Sequence, residues 1–182
     1  MRKVEVVNIE KELVNLITNM SEEIIYCIHE NPLVFKSKEG EINSTYCETC
    51  GIRICNSFNM GGIIVANKED INMAIMKREG WNVGKDVLQY IKDRLSYKIS
   101  NITINNNDIL IDDKYKVISF ASINANNRLI YTCLHFSFNP NIELIKNICI
   151  KDMVKIPRGL YDYGVSQEEI LEIVSSFEKE KL

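Results

Sequence analysis

Basic clusters, long apolar runs and paired cysteines are all scarce in this chain of 182 residues. A formal net charge of -3 without a Lys/Arg-rich cluster argues against a surface for nucleic acid or an anionic membrane. The first residues, Met1 to Glu5, include an acidic side chain and no uninterrupted apolar run, so they predict neither a signal peptide nor a membrane span. We therefore expect a cytoplasmic protein with no nucleic-acid or membrane partner.

The six cysteines are too few for a disulfide framework in a chain that can bury a sizeable core. Cys47 and Cys50 have the spacing of a ligand or redox pair, and Cys55 follows closely, but a structural zinc site needs four ligands. Because Cys47 and Cys50 share one face of a predicted helix, core packing is favoured and we assign no metal site. A small cysteine-containing regulatory or metal-binding module remains an alternative.

The residues that are abundant indicate one compact domain. Hydrophobic residues make up 46% of the chain and charged residues 26%, which suits a single full core. The three prolines are isolated from one another, and no linker or internal repeat is present. We expect one domain over residues 1–182.

Apolar periodicity and turn residues predict an α+β order of elements. A first helix is predicted to begin after Asn8 and to continue until Pro32 ends it. Further helices are predicted over about 42–50, 83–95 and 142–148, and a capping box of Ser166 and Glu169 opens the last one, to about 178. Strands are predicted at 33–35, 52–57, after Gly62, and at 102–104, 109–111, 115–123 and 128–138, with an apolar segment at 71–76. Helices that bracket hairpins predict a mixed, largely antiparallel sheet flanked by helices.

Three short segments follow one another in the order Gly61 to Val65, Asn107 to Asp112, and Lys116 to Ala121. Each is weak by itself: a glycine pair before an apolar run is commonly a turn, and an Asn-Asp pair before a strand is common turn chemistry. A lysine in an alternating strand is usually solvated. The order and spacing of all three carry the argument.

Taken together, these segments resemble the biotin/lipoate protein ligase and octanoyltransferase superfamily, and the lipoate-protein ligase catalytic domain in particular. Lipoate ligases carry a run close to Arg-Arg-x-Ser-Gly-Gly-Gly-Ala-Val-Tyr followed by Gly-Asn, and residues 53–65 with 70–73 correspond to it in part. Their later Asn-Asp-(Ile/Leu)-x-(Val/Ile)-x-Gly-Lys-Lys-Ile-x-Gly-x-Ala is matched more closely by Asn107 to Ala121. The resemblance implies that catalytic-domain fold over residues 1–182, with no C-terminal accessory domain.

The resemblance also implies a reaction. ATP and Mg²⁺ would activate lipoate or a short fatty acid to an acyl-adenylate, and a lysine of a lipoyl carrier domain would accept the acyl group. A separate accessory subunit is a second implied partner. Bringing a carboxylate against an anionic α-phosphate requires fixed cations and aimed N–H groups, which a lysine and a glycine-rich backbone supply.

The implied site residues follow from the matched motifs. Lys116, favoured over Lys114 by the residues that follow it, would be catalytic and contact the acyl carboxylate and α-phosphate. The residues implied to bind the acyl-adenylate or its nucleotide end are Gly61, Gly62, Ile63, Ile64, Val65, Asn72, Asn107, Asp108, Ser119 and Ala121. Asn107 and Asp108 would hold the nucleotide end through magnesium or ribose contacts, and Asn72 would lie beneath the pocket.

The chain departs from the family pattern at positions that carry charge or a nucleophile. The arginine pair of the ligase motif falls at Asn56 and Ser57, and Arg53 is the nearest replacement cation. Arg158 stands where octanoyltransferases have their nucleophilic cysteine, and an arginine cannot form a thioester. Cys133 is the best substitute thiol, but its place in an apolar strand favours a core cysteine. Two alternatives therefore stay open: a catalytically degenerate member that binds acyl-adenylate or carrier protein, and an acyltransferase lacking the usual cysteine.

Overall fold

The computed structural model describes residues 1–36, 42–56, 63–78, 83–125, 129–150 and 155–181. Within these ranges, none of the helices combines the length and the apolar character that crossing a bilayer would require.

The described strands, in chain order, are β1 (Arg2–Lys3), β2 (Glu23–Ile28), β3 (Leu33–Lys36), β4 (Arg53–Asn56), β5 (Ile63–Ala66), β6 (Ile71–Arg78), β7 (Ile102–Asn105), β8 (Asp108–Ile111), β9 (Tyr115–Ala125), β10 (Leu129–Phe136) and β11 (Ile156–Pro157). The described α-helices are α1 (Ile9–Asn19), α2 (Ser44–Thr49), α3 (Val83–Leu95), α4 (Ile142–Ile148) and α5 (Gln167–Lys181).

The strands form two sheets. The larger has the order β1-β2-β6-β10-β9-β8-β7, and β11 pairs with the beginning of β9. Its pairs are antiparallel except for β1–β2 and β9–β11. The smaller sheet has the order β4-β3-β5. The predicted α+β class with a mixed, largely antiparallel sheet is therefore confirmed.

Both faces of the large sheet are covered, by different elements. One face carries the main core, where residues of α3 and α5 such as Leu88, Ile91 and Phe177 pack with Met73 and Phe136. On the opposite face, Leu16 of α1 packs with Ile25 and Tyr131. The small sheet lies on the α1 side as well, since Val6 packs both with α1 and with Leu33 and Phe35. This arrangement leaves space between the small sheet and the β9–β10 region of the large sheet.

The long first helix predicted to reach Pro32 is wrong beyond residue 19. Helix α1 ends at Met20, whose φ of 50° is left-handed, and residues 23–28 form β2 instead. Strand β2 lies between β1 and β6, and its isoleucines are buried on both faces: Ile24 in the main core and Ile25 against α1. A strand buried on both faces is almost continuously apolar, so its residues also fit helical spacing.

The other predicted elements agree with described ones within a few residues, whereas the two-residue strands β1 and β11 were not predicted. Helices α2, α3, α4 and α5 lie where the patterns placed them, and Ser166 Oγ accepts a hydrogen bond from the Glu169 amide, as a capping box requires. The apolar segment at 71–76 is strand β6. The hairpin between β8 and β9 turns through Asp112 and Asp113, both with positive φ.

Candidate functional site

A β-bulge in β9 decides which side chains face the space between the two sheets. Asp108 pairs with Ser119 and Leu110 pairs with Lys116, so Val117 is an extra residue without an opposite partner on β8. In a regular strand, residues three positions apart point to opposite faces, but one inserted residue brings Lys116 and Ser119 to the same face. Tyr115 and Ile118 then point to the main core.

A row of polar and thiol side chains crosses the large sheet on that face. Register pairs connect Cys27 to Asn72, Asn72 to His135, His135 to Ser119, and Ser119 to Asp108. Residues directly opposite on neighbouring strands project from the same face of a sheet. We call these five residues the polar row. Within the described part of the chain, Asn72 Nδ2 and Ser119 Oγ are buried without a hydrogen-bond partner.

The small sheet, α4 and β11 close the space above the polar row. The result is a cavity of about 240 Å³. The residues that line it are Ile63, Ile64, Val65, Lys116, Val117, Ser119, His135, Ser137, Ile145, Cys149, Lys155 and Pro157. One wall is thus apolar, and the opposite wall carries two lysines, two serine hydroxyls and an imidazole. Such a cavity suits an apolar chain that ends in an anionic group.

The cavity brings together some of the residues implied by the resemblance. Lys116 and Ser119 from one matched segment lie across from Ile63, Ile64 and Val65 from another. Lys114 instead places its ammonium 5.3 Å from the ring centre of Tyr115, outside the lining residues. Gly61 and Gly62 lie outside the described residues.

The other implied residues lie around the cavity rather than in it. Asn72 is buried beneath it, with Oδ1 2.7 Å from His135 Nδ1. Asn107 is exposed in the β7–β8 turn, and its carbonyl accepts a hydrogen bond from the Phe120 amide. Ala121 is half-buried. It lies two residues after Ser119 in β9 and therefore on the same face of the strand.

Asp108 is committed to an ion pair that the sequence did not suggest. Its Oδ2 lies 2.7 Å from the ammonium of Lys155, and both side chains are partly exposed, 25% for Lys155 and 18% for Asp108. Lys155 lines the cavity, so Asp108 acts on the site through that lysine. The sequence offered one signal for Lys155, its position just before the Ile-Pro-Arg-Gly segment that resembles the octanoyltransferase ending.

Asp70 joins the two walls of the cavity. It is fully buried, and its carboxylate accepts hydrogen bonds from the amides of Asn67 at 2.7 Å and Phe138 at 2.8 Å. Asn67 in turn accepts a hydrogen bond from the amide of Asn141, the N-cap residue of α4. The turn after β5 is therefore bonded to the segment between β10 and α4. Burial raises the pKa of Asp70 to about 6.

Two buried histidines stay neutral at physiological pH. Burial lowers the pKa of His29 to about 4, and burial together with the nearby His29 and Lys116 lowers the pKa of His135 to about 3. His135 Nε2 lies 3.6 Å from Asp70 Oδ2, and a neutral imidazole makes no ion pair there. The imidazole of His135 therefore adds no positive charge to the cavity.

The protein should lose stability in acid through His29. Below pH 6.5 the unfolded chain takes up a proton at this residue, whereas the folded chain does so only near pH 4. The unfolding free energy contributed by His29 should thus fall by about 3 kcal/mol between pH 6.5 and pH 4. Urea unfolding of wild type and His29→Gln across this range measures the effect as a difference between the two proteins. Taking this difference removes the contribution of Asp70, whose raised pKa acts in the opposite sense. Parallel pH curves for both proteins would contradict the prediction.

The structure moves the candidate thiol from Cys133 to Cys149. Cys133 hydrogen-bonds to the hydroxyl of Tyr131 and packs against the α1 side of the sheet, and burial raises its pKa to about 12. Cys149 lines the cavity, where burial raises its pKa although Lys116 opposes the shift. A thiol with a raised pKa is a poor nucleophile at neutral pH.

The two arginines considered at sequence level point away from the cavity. Arg158 stacks 4.9 Å from the ring centre of Tyr115 and pairs with Asp162 at 3.4 Å. Arg53 lines a different groove, beside Lys3 and Glu5. Neither replaces the arginine pair of the ligase motif. Among the residues that the structure describes, no group of three or more His, Cys, Asp or Glu side chains could hold a metal ion.

Solved structures of lipoate-protein ligases share this fold. A bipartite lipoate protein ligase with its E2 lipoyl domain, from Thermoplasma acidophilum, matches with a TM-score of 0.79 at 12% identity, over 98% of this chain and 81% of that chain. Lipoate-protein ligase A bound with ATP matches with a TM-score of 0.74 at 12% identity, over 97% of this chain and 82% of that one. P. falciparum LipL1 in complex with lipoate gives 0.74 at 13% identity, over 100% of this chain but 61% of its own.

The chain has the fold of the biotin/lipoate protein ligase catalytic domain. No protein-family model matches the sequence, and no curated protein matches it by sequence. At 12–13% identity the structural likeness establishes the fold, and the activity has to be argued from the cavity.

Proposed function

We propose that this protein is a lipoate-protein ligase-like enzyme that activates lipoate or a short fatty acid with ATP and transfers the acyl group to a lysine of a carrier domain. The observation that carries the proposal is the position of Lys116. Its side chain lines a cavity with an apolar wall, and none of the ion pairs among the described residues includes it. A half-buried ammonium in such a place favours an anion that arrives with an apolar chain.

In this proposal each wall of the cavity holds a different part of the substrate. Ile63, Ile64, Val65 and Ile145 would hold the acyl chain, and Lys116 would hold its carboxylate beside the α-phosphate of ATP. A carboxylate oxygen attacks the α-phosphorus and pyrophosphate leaves, which gives the acyl-adenylate. The deprotonated amine of the acceptor lysine then attacks the acyl carbonyl and AMP leaves.

Lys116 and Ser119 would lower the barriers of these steps by electrostatics. A unit-charge pair at about 4 Å is worth roughly 4 kcal/mol at an effective dielectric of about 20, several times its value in water. The unpartnered Ser119 Oγ can donate a hydrogen bond to a carbonyl or phosphate oxygen in the cavity.

Mg²⁺ is the expected companion of ATP in such a reaction. Protein sites usually hold it through one or two carboxylates together with substrate phosphates. Asp108 fits this need better than Asp70, because Asp70 is fully buried and holds two backbone amides. We propose a lipoyl carrier domain as the acceptor, with a separate accessory subunit as a second partner, and the cytoplasm, where ATP is available, as the location.

The direct test is the intact mass of a lipoyl domain after incubation with this protein, ATP, Mg²⁺ and lipoate or octanoate. We expect an acyl mass increment that requires ATP and the acceptor lysine of the domain. A lipoyl domain whose acceptor lysine is replaced by arginine and a reaction without ATP are the controls. No increment with either acid, with AMP production also absent, would contradict the proposal.

A non-catalytic binding protein is the second candidate, and the absent cations favour it. Asn56 and Ser57 replace the arginine pair of the family motif, and neither Arg53 nor Arg158 reaches the cavity. This candidate predicts binding of a non-hydrolysable acyl-adenylate analogue without turnover. An acyltransferase lacking the usual cysteine would instead transfer the acyl group from a thioester donor without ATP.

A further inference from the structure

Lys155 is a second lysine in the cavity wall, and the motif comparison gave it no role. It lines the same cavity as Lys116. Its ammonium lies 2.7 Å from Asp108 Oδ2 and 3.5 Å from the carbonyl oxygen of Asn105. About a quarter of the side chain is accessible, so the ammonium is neither sealed in the core nor free in solvent.

The backbone beside Lys155 is fixed to the strand that carries Lys116. Strand β11 begins at the next residue, and Ile156 pairs with Tyr115 and Pro157 with Lys116. The amides of Ile156 and Arg158 donate to the carbonyls of Lys114 and Lys116, at 3.3 and 2.9 Å. A cation on such a ladder is held in place before a ligand arrives, which reduces the entropy lost on binding.

Asp108 orients Lys155 toward the polar row. Asp108 stands directly opposite Ser119, whose unpartnered hydroxyl lines the cavity. The ion pair with Asp108 therefore holds the Lys155 ammonium at the Asp108 end of the polar row. Ser119 is the next residue of the row, and Lys116 lies nearby on the same face of the sheet. A partly exposed ion pair contributes little to stability, so its lysine can exchange a carboxylate for another anion at little cost.

We propose that Lys155 is a second cationic contact for the anionic end of the ligand and supplies the charge that the missing arginine pair does not. This inference rests on the proposed function, since it assumes that a chain with a carboxylate or phosphate end occupies the cavity. In the free protein Asp108 holds Lys155, and in the complex the ammonium turns to the ligand anion. Asp108 is then a competitor of the ligand.

The competition gives opposite expectations for the two partners of the ion pair. Octylphosphonate is a suitable probe because it has an apolar chain and an anionic head but no nucleotide, and octan-1-ol is its neutral counterpart. Lys155→Met should weaken octylphosphonate binding about tenfold and leave octanol binding unchanged, as expected for one lost charge-assisted hydrogen bond. Asp108→Asn should tighten octylphosphonate binding, because the neutral amide competes less strongly for the Lys155 ammonium.

Lys98→Met is the matched control. Lys98 makes an ion pair of similar length, 2.6 Å to Glu169, away from the cavity. Calorimetric titration of wild type and of each variant, with Lys116→Ala included, gives the affinities, and thermal unfolding shows that each variant is folded. Lys155→Arg should restore most of the phosphonate affinity if charge is what matters.

Three other results would contradict the proposed role of Lys155. If Lys155→Met and Asp108→Asn weakened octylphosphonate binding equally, the ion pair would only hold Lys155, beside β11, to β8. This result would overturn the inference. Phosphonate binding that depends on Lys116 but not on Lys155 would overturn it while the proposed acyl site stands. Failure of wild type to bind octylphosphonate would overturn both.

Discussion

Replacing Lys116 by alanine is expected to lower the rate of acyl-adenylate formation about a hundred- to a thousandfold, the usual cost of losing one preorganised electrostatic contact to a transition state. In the proposed reaction the carboxylate and the α-phosphate repel each other as they approach, and Lys116 would be the cation at the point where they meet. ATP–pyrophosphate exchange with octanoate measures this step without a carrier domain. The β9 ladder does not involve the side chain, so the unfolding temperature should be almost unchanged.

Lys114→Ala is the matched control for this result. Lys114 lies two residues earlier on the same chain segment, and its ammonium rests over the ring of Tyr115 instead of lining the cavity. Its loss should leave the exchange rate within about twofold of wild type, because exposed charges interact weakly in water. Equal losses in the two variants would mean that net positive charge, rather than a placed ammonium, supports the reaction.

Asp70→Ala is expected to cost about 2 to 5 kcal/mol of unfolding free energy, because it leaves the buried amides of Asn67 and Phe138 without an acceptor. The same change removes one of the two described hydrogen bonds between the turn after β5 and the segment before α4, so affinity for octanoate should fall as well. Urea unfolding and octanoate titration measure the two effects. Asp70→Asn should be intermediate in stability, since its amide group offers one acceptor oxygen and turns a donor toward the other amide.

Asp162→Ala serves as the comparison for Asp70. Asp162 is an exposed carboxylate paired with Arg158, and its loss should change the unfolding free energy by less than about 0.5 kcal/mol. If Asp70→Ala were no more destabilising than Asp162→Ala, the hydrogen bonds that join the two cavity walls would contribute nothing to the fold.

The sequence predicted most elements of this fold because their local signals agree with their tertiary environment. The β8–β9 hairpin, α3 and α5 have turn residues, periodicity or caps that the structure uses. The prediction failed at β2, where Ile24 and Ile25 are buried on opposite faces and the local pattern fits both a helix and a strand. Sheet position, which a local pattern does not contain, decided between them.

The candidate site was predictable only where a motif marks it. The segments containing Ile63 to Val65 and Lys116 to Ser119 meet in the cavity, and their roles as ligand contacts stay a prediction. Lys155 and Cys149 come from a region with weak motif signal, and they reach the cavity through the parallel β9–β11 pairing and α4. Arg53 is close to the motif in sequence, yet it lies in another groove.

The bulge at Val117 means that the orientation of Lys116 depends on the number of residues in β9 as well as on their identity. Substitutions can remove Lys116, but only an insertion or a deletion between residues 116 and 119 can turn it to the opposite side of the sheet. A substitution at this position therefore changes which side chain is present, whereas a change in strand length changes the face of the sheet on which the side chain lies. A natural variant one residue shorter here would keep every residue type of the motif and present its lysine to the hydrophobic core.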